Sequence, residues 1–338
     1  MPETMEGWAV DVPGPIETSP LRRIERSVPI ARRGQIRISV HVCGVCRTDL
    51  HLAEGDLTPK HHLVIPGHEA VGSVDQVGEN CARFEVGDRV GVPWLARTCG
   101  TCRFCAAGRE NLCTDPRFTG WDRDGGYAPY LVVDEGYAYR VPDAFSDEEA
   151  APLLCAGIIG YRALRRSRLP TGGRLGIYGF GGSAHLTAQI AIAEGARVHV
   201  FSRAVEARAL ALQLGAASAG DSNDPAPEPL DSIILFAPVG DLVPRGLAAL
   251  DRGGTLAIAG IHLSDIPALN YAEHLFQERS LCSVTANTRS DGEEFLARAA
   301  AIPVRVSTTP YAFDRANDAL EDLARDRFTG AAVLVNSG

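Results

Sequence analysis

The sequence predicts an α/β protein in two parts, a β-rich first domain and a doubly wound parallel sheet. Three observations predict it. The chain has 338 residues, too many for one ordinary core and suited to two domains of roughly 150 residues each. Near residue 172 its texture changes from short β-like runs rich in Gly and Pro to alternating strand-like and helix-like segments. A glycine-rich turn, Gly179 to Ala184, stands where that alternation begins.

In the first part, runs such as Ile36–Val40 and Ala70–Val74 have the spacing of an all-β barrel or sandwich. The second part opens with a strand at Arg174–Tyr178, a helix at Ser183–Glu194 and a strand at Arg197–Phe201. A helix over Val205–Leu214 stops at Gly215, a C′ glycine. Asp231–Phe236, Thr255–Ala259 and Leu281–Thr285 read as further strands, and Asp221–Pro229, with three prolines, as a surface loop. Glu293–Ala300 is helical in pattern, and the last forty residues leave the β–α rhythm. They are expected to rejoin the first domain. The boundaries expected are 1–155 with 295–338 for the first domain and 156–294 for the second.

The 45% hydrophobic and 22% charged fractions are those of a soluble globular chain. A net charge of -9 argues against nucleic acid or an anionic membrane surface as the main partner. Met1 to Glu6 has no basic n-region and no apolar h-region, and no apolar run approaches the roughly 18 residues of a membrane span. The expected location is the cytoplasm. In that reducing compartment nine cysteines point to metal binding or catalysis before disulfides.

Four of them, Cys99, Cys102, Cys105 and Cys113, follow C-x2-C-x2-C-x7-C. Four thiolates without a His describe a closed, structural zinc site holding a lobe at about 95–115. The competing reading is free or disulfide-bonded cysteines, but three within seven residues crowd relaxed disulfides. Three separated fragments carry other candidates: Cys43 to His51, Pro66-Gly67-His68-Glu69, and Leu153 to Gly157 with Cys155. Each alone is a weak signal, and spacing does not show that they converge.

Gly179, Gly181 and Ala184 fit G-x-G-x-x-[GA] between a strand and a helix, with Gly182 and Ser183 opening the helix. Such a turn lets backbone N–H groups approach a pyrophosphate. NAD enzymes usually place Asp or Glu at the end of the next strand. This chain has Ser202 and Arg203 there. A hydroxyl and a guanidinium suit a 2′-phosphate, which predicts NADP in preference to NAD.

Together, in order and over nearly the whole chain, these motifs resemble the zinc-dependent medium-chain alcohol dehydrogenases. The resemblance implies a GroES-like catalytic domain, a Rossmann domain and two zinc ions per chain. It implies Cys46, His68 and Cys155 as catalytic zinc ligands, with Cys43 a neighbouring non-ligand and Asp49 and Glu69 as carboxylates beside them. Thr48 and His51 match a proton relay through the cofactor ribose. Arg47 matches a basic residue against the pyrophosphate, and Asn287 and Arg289 follow a strand whose end meets the nicotinamide. Trp94 and Trp121 match walls of a substrate cleft. Two positions depart from the pattern: Ile159 stands where many relatives carry Thr, and Ala331 where many carry Arg. Both changes imply a looser cofactor environment.

The implied reaction is hydride transfer between an alcohol or aldehyde and a nicotinamide dinucleotide. A polyol, sugar or cinnamyl-type substrate at the same site is the alternative. A nucleotide-binding structural or redox-sensing protein of low turnover is the alternative from another class. A homodimer or homotetramer is expected.

Overall fold

The computed structural model describes residues 3–302, 304–328 and 330–336. Residues 1–2, 303, 329 and 337–338, which the domain boundaries and the N-terminal reading include, lie outside the described residues. The chain divides into two compact units, Met1–Cys155 with Ala286–Ala300 and Val306–Gly338, and Ala156–Thr285 with Ala301–Arg305.

The first unit is built on a seven-stranded sheet. Its central strand Gln35–Val45 alternates buried and half-buried residues until Val42, Cys43, Gly44 and Val45, which are all buried. That strand pairs antiparallel with Ala70–Val77 on one side and with the C-terminal strand Ala331–Val335 on the other. The C-terminal residues therefore close the sheet that the N-terminal residues begin. Ile36, Ile38, Val40, Val74, Val90 and Leu131 line its core.

The second unit is a six-stranded, wholly parallel sheet. Its order is Ser218–Gly220, Arg197–Phe201, Arg174–Tyr178, Leu230–Leu235, Leu250–Ile258, Ser280–Ser283. In chain order that is 3-2-1-4-5-6, the Rossmann order, with its reversal beside Arg174–Tyr178. The inner strands are continuous apolar runs, such as Ile233, Ile234 and Leu235, because helices cover both faces. The helix Gly182–Ala193 packs on Arg197–Phe201 and on the helix Ile158–Ser167. It is buried from Ala184 through Ala191.

Residues 286–294, given to the second domain by the sequence pattern, cluster with the first unit, and Ala301–Arg305, given to the first domain, cluster with the second. The cause for residues 286–294 is the helix Arg289–Ala301, which starts earlier than its apolar pattern and buries Asp291 and Gly292 with Phe295, Leu296 and Ala299. A Cβ on Gly292 would lie 2.2 Å from Cζ of Tyr139, so that turn sits directly on Tyr139.

One buried polar group in the second unit makes stability depend on pH. His199 is 1% exposed, with Nδ1 2.8 Å from Ser218 Oγ and Nε2 2.9 Å from Glu228 Oε1. Burial lowers its pKa below the ordinary 6.5, against the raising pull of Glu228. The fold thus favours the neutral ring. Its contribution is complete above about pH 6.5 and is lost as pH falls through the lower folded value. The melting midpoint should drop on acidification below about pH 6.5. Calorimetry should show a shallower acid slope for His199→Gln, whose midpoint is already lower at neutral pH.

Candidate active site

The antiparallel pairing of Gln35–Val45 with Ala70–Val77 sets Cys43 opposite Ala70. The end of one strand therefore lies beside the start of the other, where Gly44 N–H donates to Glu69 O at 3.0 Å. Cys46 follows the first strand and caps the helix Arg47–Glu54. His68 and Glu69 precede the second. Cys155 arrives from further along the chain. Pro152 ends the helix Asp147–Pro152, and Leu153–Gly157 forms a single π-turn that carries Cys155. Inserted turns of this kind are frequent at functional sites.

These segments bring one donor atom each from Cys46, His68, Glu69 and Cys155 within 4.8 Å of one another. Cys46 Sγ and Cys155 Sγ are 3.9 Å apart. A tetrahedron with Zn–S bonds of about 2.3 Å has edges of about 3.8 Å. His68 is 1% exposed, and its Nε2 has no hydrogen-bond partner. A buried, unpartnered nitrogen costs about 1–3 kcal/mol, and a metal bond removes that cost. Contact with Cys155 holds Cys46 well below the ordinary thiol range, and the same contact pushes Cys155 up. A thiol pair in that condition suits a cation that lets both ionise. On these observations the residues fit a zinc ion.

Asp49 ties the ligand-bearing segments together. Its Oδ2 accepts from Cys46 N–H at 3.0 Å, its Oδ1 accepts from Gly67 N–H at 3.0 Å, and Oδ1 lies 3.3 Å from His68 Nδ1. Glu69 is buried, which raises its pKa well above the usual carboxylate range. A Cβ on Gly44 would fall 1.9 Å from Glu69 Oε2, so residue 44 must be glycine for the carboxylate to reach the cluster.

An aromatic wall adjoins the cluster. Trp94 meets His68 edge-on with centroids 5.0 Å apart. It stacks on Phe118 at 4.9 Å and on Trp121 at 5.9 Å. Lys60, the only lysine, stands over Trp121 at 4.5 Å. Trp94 and Trp121 were expected here; Phe118 was not. Its two-residue strand, Arg117–Phe118, offers no periodicity to read, and its spacing of three from Trp121 was the one available signal.

Cys99, Cys102, Cys105 and Cys113 also converge. Their Sγ–Sγ distances are 3.5 Å for Cys99–Cys113, 3.6 Å for Cys102–Cys105 and 3.9 Å for Cys99–Cys105. These are far beyond the bond length of about 2.05 Å in a disulfide and close to the tetrahedral edge. Backbone N–H groups of Cys99, Cys102 and Asp115 donate to sulfurs at 3.3–3.4 Å. Backbone contacts, that of Cys105 foremost, bring Cys102 down to about 6. The lobe's donor set fits a second zinc ion.

In the dinucleotide turn Gly179 has φ +85, and a Cβ there would sit 2.8 Å from Ala237 N, so only glycine fits. Gly181 caps the helix that Gly182, Ser183 and Ala184 begin. Ser202 is buried and Arg203 exposed.

Other expected site residues have partners inside the first unit. Thr48 Oγ1 is 3.9 Å from Cys46 Sγ, and His51 Nδ1 is 3.0 Å from Asp56 Oδ2. Arg47 pairs with Asp326 at 2.7 Å. Asn287 Nδ2 donates to Tyr139 Oη at 3.3 Å and to Thr288 O at 3.0 Å. The Nε of Arg289 donates to Glu110 at 3.2 Å, and its guanidinium lies over Tyr137. Ile159 falls in the helix Ile158–Ser167, and Ala331 opens the strand Ala331–Val335.

Residues 32–143 match the alcohol dehydrogenase GroES-like domain and residues 182–301 the zinc-binding dehydrogenase domain. The chain is 57% identical, over 98% of its length and 97% of the other's, to "Probable alcohol dehydrogenase AdhA" of Mycobacterium tuberculosis. The chain belongs to the zinc-dependent alcohol dehydrogenase family. It is an oxidoreductase of that family, with a GroES-like unit and a Rossmann unit. Two solved family structures superpose closely. A cinnamyl alcohol dehydrogenase from Sorghum bicolor has a TM-score of 0.88 at 30% identity, covering 98% of each chain. The crystal structure of CAD from Helicobacter pylori complexed with NADP(H) has a TM-score of 0.88 at 26% identity, covering 99% of each chain.

The two cysteine clusters should separate by mutation. Cys46→Ser should remove nearly all alcohol oxidation while shifting the melting midpoint by no more than about 4 °C. Cys102→Ser should lower the midpoint by about 10 °C or more, since metal binding supplies most of a small lobe's folding energy. Equal loss of folding in both variants would contradict the division into two sites.

Proposed function

We propose that this enzyme transfers a hydride between a primary or secondary alcohol carrying an apolar or aromatic group and NADP, using two zinc ions per chain. The observation that carries the proposal is the convergence of Cys46, His68, Glu69 and Cys155 on one point next to the ring wall of Trp94, Phe118 and Trp121. Cys46, His68 and Cys155 would hold the catalytic ion, with the Glu69 carboxylate as a further donor within reach. Cys99, Cys102, Cys105 and Cys113 hold the second ion in the lobe. When bound, catalytic zinc supplies Lewis acidity that eases loss of an alcohol proton and polarises an aldehyde carbonyl.

The remaining work belongs to side chains. Thr48, buried beside Cys46, takes the hydroxyl proton of the alcohol and passes it towards the ribose. His51, half-buried with Nδ1 on Asp56, hands it to solvent. The hydride leaves the carbinol carbon for the nicotinamide ring. The rings of Trp94, Phe118 and Trp121 exclude water and hold an apolar substituent. A wall made mainly of aromatic rings suits an apolar substituent better than polyol or sugar hydroxyls, so a cinnamyl-type alcohol is favoured over those classes. The Helicobacter pylori structure in complex with NADP(H) supports the cofactor, together with Ser202 and Arg203 at the strand end.

The expected assembly is a homodimer or homotetramer. Among the described residues the last strand in the sheet order, Ser280–Ser283, pairs on one side only, and Tyr271 and Phe276 nearby in sequence are 66% and 64% exposed.

Zinc quantification on the purified enzyme should give about two ions per chain. Initial rates should favour NADP over NAD by about tenfold or more in kcat/KM, and Arg203→Ala should remove most of that ratio through KM for NADP. A preference for NAD, unchanged in Arg203→Ala, would refute the cofactor assignment.

A further inference from the structure

Three backbone groups of the Ser202–Arg203 turn are held in place. Ser202 N–H donates to Gly220 O on the adjacent strand at 3.0 Å. The carbonyls of Ser202 and Arg203 both accept from Nη1 of Arg208, at 2.7 Å and 3.0 Å. Arg208 lies in the helix Val205–Gln213 that follows the turn, and its backbone N–H donates to Ala204 O at 3.2 Å. A side chain from the helix thus reaches back and clamps the turn that leads into it.

Arg208 is placed for geometry more than for charge. Its Nη1 is spent on the two carbonyls, and Asp221 Oδ2 stands 3.7 Å from the same atom and offsets its charge. Asp221 is itself fixed by the turn it belongs to, where its N–H donates to Asp224 Oδ2 at 2.7 Å and its Oδ1 accepts from Asn223 N–H at 3.0 Å. Arg203 is the opposite case. It is exposed, and no ion pair to its guanidinium is found among the described residues. The guanidinium with no carboxylate partner sits on a turn made rigid by the one that is engaged.

We infer that Arg208 is a positioning residue for dinucleotide discrimination, holding the Ser202–Arg203 turn so that the Ser202 hydroxyl and the Arg203 guanidinium face a ribose 2′-phosphate without first having to be ordered. This rests on the proposed NADP preference. A bidentate guanidinium contact depends on orientation more than a point charge does, and a turn already frozen spares the ordering cost on binding. The 2′-hydroxyl of NAD asks for no such contact, so the clamp acts on one cofactor more than on the other.

A double-mutant cycle tests this, read as the ratio of kcat/KM for NADP to that for NAD. Arg208→Ala should lower the ratio about tenfold, with the loss carried by KM for NADP and little of it by kcat. Arg208→Gln serves as a second variant with the same expectation should the alanine variant fold poorly. In an Arg203→Ala background, adding Arg208→Ala should change the ratio by less than about threefold, because only the Ser202 hydroxyl is left to position. An unchanged ratio in Arg208→Ala, or its full effect persisting without Arg203, would overturn the positioning role. Equal rises in KM for both cofactors would mean a merely structural contact and would overturn it too. A wild-type enzyme that prefers NAD would show instead that the underlying cofactor reading is wrong.

Discussion

A buried imidazole, a buried carboxylate and two half-buried thiols meet at one point, and no hydrogen bond to His68 Nε2 compensates for the burial. That constraint governs much of the first unit. Polar and ionisable groups avoid such positions unless they are paired or coordinate a metal. Taken separately, each buried group destabilises the fold. Taken together around a divalent cation, they become its coordination shell, and the energetic penalty turns into affinity. An ion held there would supply attraction among the segments that carry them, and the chain supplies the distances.

The chain supplies them through rigid elements. The antiparallel pair Gln35–Val45 and Ala70–Val77 fixes the Cys46 segment against the His68–Glu69 segment. Asp49 then links both by accepting from the backbone of Cys46 and of Gly67. Carboxylates behind metal-ligating histidines orient the ring and set its tautomer, so Asp49 connects the sheet's geometry to the donor atoms. Gly44 completes the arrangement by leaving room that any side chain would take from Glu69. The four-thiol lobe follows the same logic locally. Its backbone N–H groups point at sulfur, and little apolar core lies beneath it.

Much of this was legible in the sequence where the signal is local. The strands Arg174–Tyr178 and Arg197–Phe201 are observed with the limits their patterns suggest, because turns on either side bound short apolar runs. The four-cysteine spacing is local as well, and its sulfurs meet. Convergence of Cys46, His68 and Cys155 was different. Spacing along the chain says nothing of distance in space, and only resemblance pointed to it. The π-turn at Leu153–Gly157 has no periodicity of its own, and Phe118 stands in a strand too short to show one. Residues 286–294 were misassigned because the helix Arg289–Ala301 starts on Arg289, Ser290 and Asp291, polar residues that its apolar stripe does not include. Contacts of the kind Arg208 makes, from one side chain to two carbonyls, leave no trace in a sequence.

Diffraction from crystals of the enzyme at the zinc absorption edge tests the central claim most directly. The account predicts an anomalous peak within about 2.4 Å of Cys46 Sγ, His68 Nε2 and Cys155 Sγ together, separate from a second peak among the four lobe sulfurs. A map with the lobe peak present and no peak touching those three atoms, in enzyme that still oxidises alcohols, would contradict it.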